Sequence, residues 1–588
     1  MKSQSFLRAA APLVVLFLPC ASISSGETGP KLVNRLATAS SPYLKEAATQ
    51  PIHWQPWGEE AFRLARELDR PILMDIGAIW CHWCHVMDEE TYSNPEVAKL
   101  INDYFVPIRV DRDERPDIDS RYQVQVQALV SYGGWPLTVF MTPEGKVFYG
   151  GGTFFPDERY GRPGFKQLLP EVYRVYKGQK DKVLENADGL YQAVAKYQAG
   201  LTEAGDLKPR LITNTMWALL RSFDEEAGGF GGGPKFPVAG TMELALKGSF
   251  DTGDQKLLHV ATKTLDAMAR GGVHDQLDGG FHRYATDRQW RVPHFEKMLN
   301  DQAQLLKDYL AAYQVTGKAR YREVAEGIIR YVQGSLSDQA RGGFYAHQDA
   351  DIGRKDDGDY YTWTEAEVRQ ALPKEEAEVL IRYFDIGPEG EMRENPARNV
   401  LWIARTAEEI AQALAMPVAK VEALIVKGKG DLLRIRGQRK TPFVDRTILS
   451  DRNGMMVSAY FEAYKVLGRE ELKDFALKSL DFLLDHAYVP GRGVVHAYAH
   501  GKATVPGFLQ DQVQVAAALL EAFEVSGEAR YLAVGRDIMD YAVQTFWDES
   551  GGFFDTPHQP GALGVLGLRS KPFQDGDTPA ANPAAAEL

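Results

Sequence analysis

Two cysteines separated by two residues carry the most specific chemistry in this sequence. Cys81 and Cys84 follow the apolar run Ile72–Met74, which reads as a buried strand, and they open a predicted helix that runs to about Leu100. At a strand-to-helix turn, two thiols at this spacing can close a disulfide with little movement of the backbone. The first of them lies where unpaired backbone N–H groups stabilise a thiolate. The pair is therefore predicted to be a redox-active disulfide that exchanges or senses disulfides.

The residues around this pair resemble the thioredoxin fold. Asp75 lies on the preceding strand, Trp80 directly precedes Cys81, and Pro136 stands between a glycine-rich loop and a strand, where a cis peptide is expected. Thioredoxin-like proteins carry Asp, Trp-Cys-x-x-Cys and cis-Pro in this order. The resemblance implies that Cys81 attacks, that Cys84 resolves, that Asp75 relays the proton and that Pro136 shapes the substrate groove.

Other uses of the same cysteines stay open. Cys81–His85 is also the C-x-x-C-H pattern of c-type haem attachment, in which His85 would be an axial ligand. A closed zinc site would need a second ligand pair, and none is in view. The cysteines could also do no more than staple a turn. We expect no cofactor beyond the disulfide itself and hold c-type haem and zinc as less favoured alternatives.

Length and charge limit the classes of protein to which the chain can belong. A chain of 588 residues is too long for one ordinary core, so two or more domains are expected. The net charge of −13 argues against nucleic acid or an anionic membrane surface as a partner. The expected partners are protein thiols or disulfides, or a dedicated redox protein, together with a saccharide.

The first 25 residues read as an export signal. Lys2 and Arg8 give a positive start, Ala9–Leu18 is a short apolar run, and small residues follow through Ser25. This run is too short to span a bilayer comfortably, and no other stretch is predicted to span one. The mature protein is expected to be periplasmic or secreted, and a lipid anchor on Cys20 is the less favoured alternative. Without that signal the chain keeps only the C-x-x-C cysteines.

The predicted domains differ in class, so the chain is expected to be a multidomain α/β plus all-α protein. Residues 26–200 form the thioredoxin-like domain, with an aromatic, proline-rich lead-in, and 201–210 is the linker. Residues 211–575 form a helical domain, and 576–588 is a flexible tail. Within the helical domain, 301–321 matches 511–531, and Gly-Gly-Phe loops follow the helical pairs. Helical hairpins of this kind predict a six-hairpin (α/α) toroid, which collects its loops around a cavity.

The helical domain carries a second set of candidate site residues. They are acidic, basic or imidazole side chains in loops and at helix starts: His282, Arg283, His294, Glu296, Asp301, Asp349, Asp351 and Asp511. Paired carboxylates beside aromatic residues suit glycoside chemistry, and a histidine pair suits proton transfer at a sugar carbon, as in an epimerase. Simpler interpretations compete with these. Asp301 and Asp511 could cap repeated helices, Arg283 could pair with Asp287, and His294 could be a hydrogen-bonded loop residue.

Several longer motifs resemble the spermatogenesis-associated protein 20 family of thioredoxin-domain proteins. These are NRLATASSPYL, CHWCHVM, VDRDERPDID, GGWPLTVFMTPEGK, GGFHRYATD and VPHFEKML. The resemblance implies a thioredoxin-like domain followed by a domain similar to six-hairpin glycosidases and sugar epimerases, with links to redox chemistry and carbohydrate metabolism. Asp75 and Trp80 stand where relatives commonly have Ser and Thr. Because relatives continue into further helices beyond Leu588, an incomplete toroid is an alternative to a closed one.

Three functions follow from these observations. The leading one is an exported thioredoxin-like protein that performs or senses thiol–disulfide exchange and is fused to a toroid that binds or processes carbohydrate. The second is a carbohydrate-active enzyme, of glycosidase or epimerase type, with a structural or regulatory C-x-x-C domain. The third is a non-catalytic scaffold in which the toroid serves as an interaction surface.

Overall fold

The computed structural model describes residues 32–159, 161–200, 208–353 and 358–588. The predicted signal at 1–25, with Cys20, and most of the predicted linker at 201–210 lie outside these ranges. The chain divides into two compact units. Unit 1 comprises Met1–Ala78, Val86–Glu203 and Gln559–Leu568, and unit 2 comprises Ile79–His85, Ala204–His558 and Arg569–Leu588.

Two segments belong to units that the predicted domain limits do not assign to them. The segment Ile79–His85 lies inside the predicted thioredoxin-like domain, yet its contacts are those of unit 2. We call this stretch the CxxC segment. Conversely, Gln559–Leu568 lies inside the predicted helical domain but belongs to unit 1. Both differences depend on contacts between residues far apart in sequence, which composition and periodicity do not report.

Unit 1 is built around a sheet of five strands in the order β1-β3-β2-β4-β5. β1, β2 and β3 run parallel to one another, whereas β4 and β5 are antiparallel to their neighbours. The strands are β1 (Gln55–Pro56), β2 (Ile72–Gly77), β3 (Val106–Asp111), β4 (Leu137–Met141) and β5 (Val147–Gly151). The helices are α1 (Pro42–Glu46), α2 (Glu59–Glu67), α4 (Pro95–Tyr104), α5 (Pro116–Val130), α6 (Phe165–Gly178) and α7 (Lys180–Gly200). Helix α3 (His82–Met87) begins in the CxxC segment of unit 2 and ends in unit 1. This is the predicted thioredoxin-like fold.

Strand β2 is buried on both faces, which explains its continuous apolar run. Ile72, Met74 and Ile76 pack into one core, while Leu73 packs into a second core on the opposite face. Asp75 shares the face of Leu73 because side chains alternate along a strand. At the start of β4, the Trp135–Pro136 peptide bond is cis, as expected.

Unit 2 is a helical toroid with short strands in its loops. Its helices are α8 (Arg210–Ser222), α9 (Ala239–Thr252), α10 (Gln255–Arg270), α11 (Leu299–Thr316), α12 (Ala319–Ser335), α13 (Glu365–Ala371), α14 (Lys374–Phe384), α15 (Ala407–Leu414), α16 (Val418–Arg436), α17 (Ser450–Leu467), α18 (Glu470–Ala487), α19 (Leu509–Ser526), α20 (Ala529–Phe546) and α21 (Ala581–Glu587). The strands are β6 (Tyr284–Ala285), β7 (Pro293–His294), β8 (Lys297–Met298), β9 (His347–Gln348), β10 (Trp363–Thr364), β11 (Arg398–Asn399), β12 (Val444–Asp445), β13 (Ile448–Leu449), β14 (Tyr488–Val489), β15 (Gly493–Val494), β16 (Ala497–Ala499) and β17 (Lys502–Val505).

The predicted repeat appears as four helical hairpins, α9–α10, α11–α12, α17–α18 and α19–α20. The first helices of these hairpins pack against one another in the order α9, α11, α17, α19, and each second helix packs against its own partner. Helices α13–α16 form a separate apolar cluster between the second and third hairpins. In the described ranges, no helix is both long enough and apolar enough to cross a membrane.

A buried carboxamide near the start of an inner helix holds the loop that precedes it. Gln302 of α11 accepts a hydrogen bond from the Phe281 N–H at 2.8 Å and donates to the Phe281 carbonyl at 2.7 Å. The same two-point contact, which we call the amide clamp, recurs three times. It joins Asn453 to Phe344, Gln512 to Val494 and Asn582 to Phe553. The clamp satisfies both polar groups of a buried backbone residue, and it explains why the Gly-Gly-Phe loops and the helix starts repeat together.

The C-terminal stretch 576–588, for which the sequence suggested a flexible tail, contains helix α21. Ala581, Asn582 and Ala585 are buried, and α21 packs against α19. The amide clamp of Asn582 on Phe553 fixes the start of this helix. A run of alanines therefore folds here because it repeats the position of an inner helix.

Helices α17 and α19 approach each other so closely at Gly454 that no side chain fits there. A Cβ at this position would lie 2.5 Å from the backbone oxygen of Gln514 in α19. Gly454→Ala should therefore destabilise the protein by about 1–3 kcal/mol, measured by urea unfolding. Gly430, exposed within α16, has no neighbour near its Cβ position. Gly430→Ala should stabilise by about 0.5–1 kcal/mol, and equal effects of the two substitutions would contradict this packing.

Candidate functional site

A small hairpin in unit 2 places the first group of candidate residues. Strand β6 pairs with β7 so that Tyr284 lies opposite His294, and their rings stack with centroids 4.7 Å apart. The Arg283 N–H donates to the carbonyl of Glu296 at 2.9 Å. Phe236 stacks on the other side of Tyr284 at 4.5 Å. The hairpin thus presents an arginine, an imidazole and a carboxyl group beside an aromatic stack.

Two further strands bring the acidic residues to the same place. β8 and β9 are antiparallel, with Lys297 opposite Gln348 and Met298 opposite His347. Glu296 precedes β8 and Asp349 follows β9, so the two residues lie at the same end of this pair. Helix α11 begins directly after β8 and carries Asp301 in its first turn. Sequence spacing alone does not predict this meeting of residues that lie about 50 positions apart.

The CxxC segment contributes two histidines to the same cluster. His82 Nδ1 lies 3.1 and 3.0 Å from the two carboxylate oxygens of Asp351, and His85 Nδ1 lies 3.0 Å from one of them. His85 Nε2 is 3.7 Å from Asp349. Because a carboxylate can only accept hydrogen bonds, both histidines must present N–H groups to Asp351. The two imidazoles share one helical face because they are three residues apart on α3.

Aromatic contacts fix the rest of the CxxC segment within unit 2. The guanidinium of Arg283 lies over the Trp80 ring, 4.4 Å from its centroid. Trp80 is 1% exposed, and its ring also lies near that of His347. The His82 ring meets the His294 ring edge-on at 5.7 Å. Trp80 therefore contacts Arg283 and lies near His347, and His82 contacts His294.

Glu296 and Asp301 are acids with unusual protonation. Glu296 is 3% exposed, and burial raises its pKa to about 7 despite the nearby Arg283. Burial likewise raises the pKa of Asp301 to about 7, again opposed by Arg283. Glu296 Oε2 and Asp301 Oδ2 have no hydrogen-bond partner among the residues that the structure describes. Each can therefore hold or release a proton near neutral pH, as a general acid or base must.

The neighbouring His294 and Asp351 have lowered pKa values. Burial, together with the nearby His82, lowers the pKa of His294 to about 3, so its imidazole is neutral at physiological pH. Its Nδ1 lies 3.9 Å from Glu296 Oε2. Burial alone would raise the pKa of Asp351, but the hydrogen bonds from His82 and His85 lower it to about 2. The cluster therefore combines a neutral imidazole, a fixed carboxylate and two carboxyl groups that titrate near neutrality.

We call Arg283, His294, Glu296, Asp301, Asp349 and Asp351 the acid–base site. Of the other predicted residues, His282 is buried and its Nδ1 lies 2.7 Å from the Phe295 carbonyl, which indicates a structural role. Asp511 accepts hydrogen bonds from the N–H groups of Phe508 and Asp451, as expected of a helix cap. Asp301 and Asp511 thus occupy repeated positions but have different surroundings.

Asp511 also belongs to a trio that could hold a cation. One ligand atom from each of Asp451, His496 and Asp511 lies within 4.8 Å of the others. However, His496 Nδ1 is 2.9 Å from Asp511, and the backbone contacts above already engage both oxygens of that carboxylate. These bonds explain why the three residues lie together: Asp511 caps the helix, and His496 is its hydrogen-bonding partner.

The cysteines form a disulfide in unit 2, with Cα atoms 5.2 Å apart. Cys81 is 5% exposed and Cys84 is 1% exposed. The Cys84 N–H donates to Cys81 Sγ at 3.2 Å. An amide directed at this sulfur would stabilise a thiolate on Cys81 once the disulfide is reduced.

Asp75 lies in unit 1 within a buried polar network. The hydroxyl groups of Tyr43 and Tyr92 donate to its two oxygens at 2.7 and 3.1 Å, and Arg109 lies 3.8 Å away. Burial raises the pKa of Asp75, and the Arg109 charge opposes this effect. Asp75, the predicted proton relay, therefore already accepts hydrogen bonds from two tyrosines.

The sequence did not identify His82 as a site residue, and it offered His85 only as an axial ligand in the haem alternative. The signal was present in Cys-His-Trp-Cys-His, where the histidines are spaced to share a face of the predicted helix. Their partner Asp351, which lies 266 residues from His85, could be connected with them only in three dimensions.

Comparisons with known proteins support the two halves of this description. Residues 33–195 match a sequence model described as a thioredoxin DsbH-type protein of unknown function, DUF255. Residues 241–358 match the N-acylglucosamine 2-epimerase model. The chain is 36% identical to human spermatogenesis-associated protein 20 over 95% of its own length and 76% of that protein.

The chain belongs to the spermatogenesis-associated protein 20 family. Among solved structures, it is similar to a sugar epimerase from a ruminal bacterium, at 15% identity and a TM-score of 0.31, over 63% of this chain and 94% of that one. It is also similar to cellobiose 2-epimerase from Spirochaeta thermophila, at 13% identity and a TM-score of 0.30, over 64% and 96% of the two chains.

The raised pKa of Glu296 predicts how stability depends on pH. An unfolded glutamate releases its proton near pH 4.3, whereas folded Glu296 keeps it to about pH 7, so this residue lowers stability as pH rises through that window. Relative to the wild type, Glu296→Gln should therefore gain up to about 3 kcal/mol between pH 5 and pH 8. Unfolding of the same variant in urea at both pH values measures this gain. Exposed Glu389→Gln is the control for loss of one charge, and an equal gain in that variant would refute the assignment.

Proposed function

We propose that this protein is an exported thiol–disulfide protein that performs or senses exchange through Cys81 and Cys84, with a helical unit that binds a saccharide. The observation that carries the redox half is the hydrogen bond from the Cys84 N–H to Cys81 Sγ, which favours a thiolate on one particular sulfur. The match to a thioredoxin-type family and the order of the sheet support the same interpretation. The charged and apolar runs at 1–25 support export.

The exchange reaction assigns different roles to the two sulfurs. The Cys81 thiolate attacks a sulfur of a substrate disulfide, forms a mixed disulfide and releases the other substrate sulfur as a thiolate. The Cys84 thiolate then attacks Cys81 Sγ, which closes the Cys81–Cys84 bond and releases the reduced substrate. Because Cys84 is the more deeply buried sulfur, it is the resolving one.

Burial of the cysteine pair favours sensing over general reduction of protein disulfides. Trp80 and both cysteines are buried, and Arg283 covers the Trp80 ring. A folded protein disulfide could reach Cys81 only if this segment moved. A small oxidant or thiol needs less space, so we infer that the pair responds to low-molecular-weight disulfides and thiols first.

Single-cysteine variants test these roles. Treatment of reduced Cys84→Ser with glutathione disulfide should leave a stable mixed disulfide on Cys81, because the resolving thiol is missing. Cys81→Ser should label far more slowly, because Cys84 is the buried sulfur and receives no such amide. Intact-mass spectrometry against time measures both, and thermal melts check the folding of each variant. Equal labelling of the two variants, or none in either, would refute the assignment.

A second function is favoured by Glu296 and Asp301, each of which has one carboxyl oxygen without a hydrogen-bond partner among the described residues. We propose that the acid–base site transfers protons at a carbon beside the carbonyl of an open-chain sugar, with Glu296 as the group that takes and returns the proton and neutral His294 beside it to orient the substrate. Arg283 would stabilise the negative oxygen that forms. The family match supports N-acetyl-D-glucosamine as the first sugar to test.

Deuterium uptake tests this second proposal without knowledge of the product. Incubation of the protein with N-acetyl-D-glucosamine and related uncharged aldoses in heavy water should place deuterium at the carbon next to the carbonyl. His294→Ala and Glu296→Gln should abolish uptake, whereas exposed Glu389→Gln should retain it. Nuclear magnetic resonance of the sugar measures the exchange. Uptake that survives both site substitutions would contradict the assigned roles.

A further inference from the structure

The residues beside the cysteines hold groups of the acid–base site. Within seven residues, the CxxC segment carries the disulfide and three side chains bound to that site. Trp80 lies under Arg283, and His82 and His85 bind Asp351. The disulfide closes a ring that begins one residue after Trp80 and includes His82, and His85 follows it directly. Opening the disulfide changes the backbone freedom of this ring and therefore affects the contacts of Trp80, His82 and His85.

Burial is the main cause of the raised pKa of Glu296, and groups that the segment contacts adjust it. Arg283 lowers the pKa of Glu296, and Asp351 raises it. His82 also contributes to the field at Glu296, and it contacts His294. Displacement of the segment would uncover Arg283 and leave the buried Asp351 carboxylate without two of its donors. An unpaired buried carboxylate is costly, so the loop that carries Asp351 would have to rearrange.

We propose that the thiol–disulfide state of Cys81 and Cys84 controls the assembly of the acid–base site, with the contacts of His82 and His85 to Asp351 as the connection. This inference rests on the proposed redox function and adds the regulation of the second site. In the oxidised state the ring is closed and the contacts are formed, as in this structure.

The controlling step is a two-electron reduction by a dithiol. One thiolate of the dithiol attacks a sulfur of the pair, the Cys81–Cys84 bond breaks, and the second dithiol sulfur then closes its own disulfide. The protein gains two electrons and up to two protons, and the dithiol loses them. Any thiolate that remains on Cys81 adds negative charge within four residues of His82 and His85, on the segment that contacts Asp349 and Asp351. Repulsion between these charges disfavours the assembled site.

The charge of the acid–base site indicates the class of ligand under this control. Asp349 and Asp351 already outnumber Arg283, and Glu296 and Asp301 add negative charge when they lose their protons near pH 7, so a phosphorylated or carboxylated sugar would meet repulsion. Stacked Tyr284 and Phe236 offer an apolar ring face at the same hairpin. An uncharged sugar, with hydroxyl groups for the acids and an apolar face for the rings, fits these features.

Asp351→Asn tests the connection, because it removes the charge that His82 and His85 contact and leaves both cysteines in place. If its contacts favour the disulfide form, linkage requires that their loss make the pair easier to reduce. We expect about a tenfold change in the equilibrium constant, which is a rise of about 30 mV in the reduction potential. Equilibration of the full chain in glutathione buffers, followed by thiol trapping and mass spectrometry, measures the potential. Asp481→Asn, which removes an exposed partner of Arg530, is the control and should leave it unchanged.

Hydrogen exchange provides a readout that does not depend on one variant. Reduction of the wild type should increase amide exchange at 79–92, 282–301 and 347–353 more than elsewhere in unit 2. His85→Ala in its oxidised form should reproduce part of this increase, and thermal melts check that each variant folds.

The outcomes separate this inference from the function on which it rests. A reversible couple whose potential is the same in wild type and Asp351→Asn, with no redox-dependent exchange at the acid–base site, would overturn the connection and leave the redox function standing. A cysteine pair that cannot be reduced in the folded protein would refute both. A raised potential in Asp351→Asn with increased exchange at these three segments would support the proposal.

Discussion

The candidate site depends on the hydrogen bonds that His82 and His85 make to the Asp351 carboxylate. A charged carboxylate in a nearly dry environment persists only if hydrogen-bond donors replace the water it has lost. Here the donors are His82 and His85, so a loop of the helical unit and the CxxC segment are held by one group. The positions of Trp80, Arg283 and Glu296 follow from this arrangement. The disulfide and the acid–base site cannot be described separately, because they share this anchor.

Burial without partners gives the site its reactivity. Hydrogen bonds from His82 and His85 keep Asp351 ionised, whereas burial raises the pKa values of Glu296 and Asp301 to about 7, and one oxygen of each has no hydrogen-bond partner among the described residues. The same low-polarity surroundings keep His294 neutral. Proton transfer requires acids with different protonation states within one cluster. The β6–β7 hairpin and the β8–β9 pair bring such acids together. The reactivity is therefore a consequence of desolvation rather than of any unusual residue.

The sequence predicted the fold better than it predicted the site. The apolar run of β2, the proline before β4 and the repeated helix pattern each reflect local geometry, and each appears as expected. Asp301 and Asp511 show the limit of such reasoning, because equivalent positions in a repeat have different neighbours and therefore different roles. The pairing of His85 with Asp351 and the placement of Gln559–Leu568 in unit 1 depend on contacts across hundreds of residues. No local pattern contains that information.

The amide clamp separates what the toroid needs for folding from what it uses for chemistry. The clamp residue is fixed by its two backbone bonds, but the residue just before it is not: the four clamps follow Asp301, Arg452, Asp511 and Ala581. Those positions open successive inner helices in equivalent geometry, yet one is a proton-holding acid, one a cation, one a cap and one an alanine. A substitution at one of these positions can therefore change the local chemistry while the clamp that holds the scaffold stays in place.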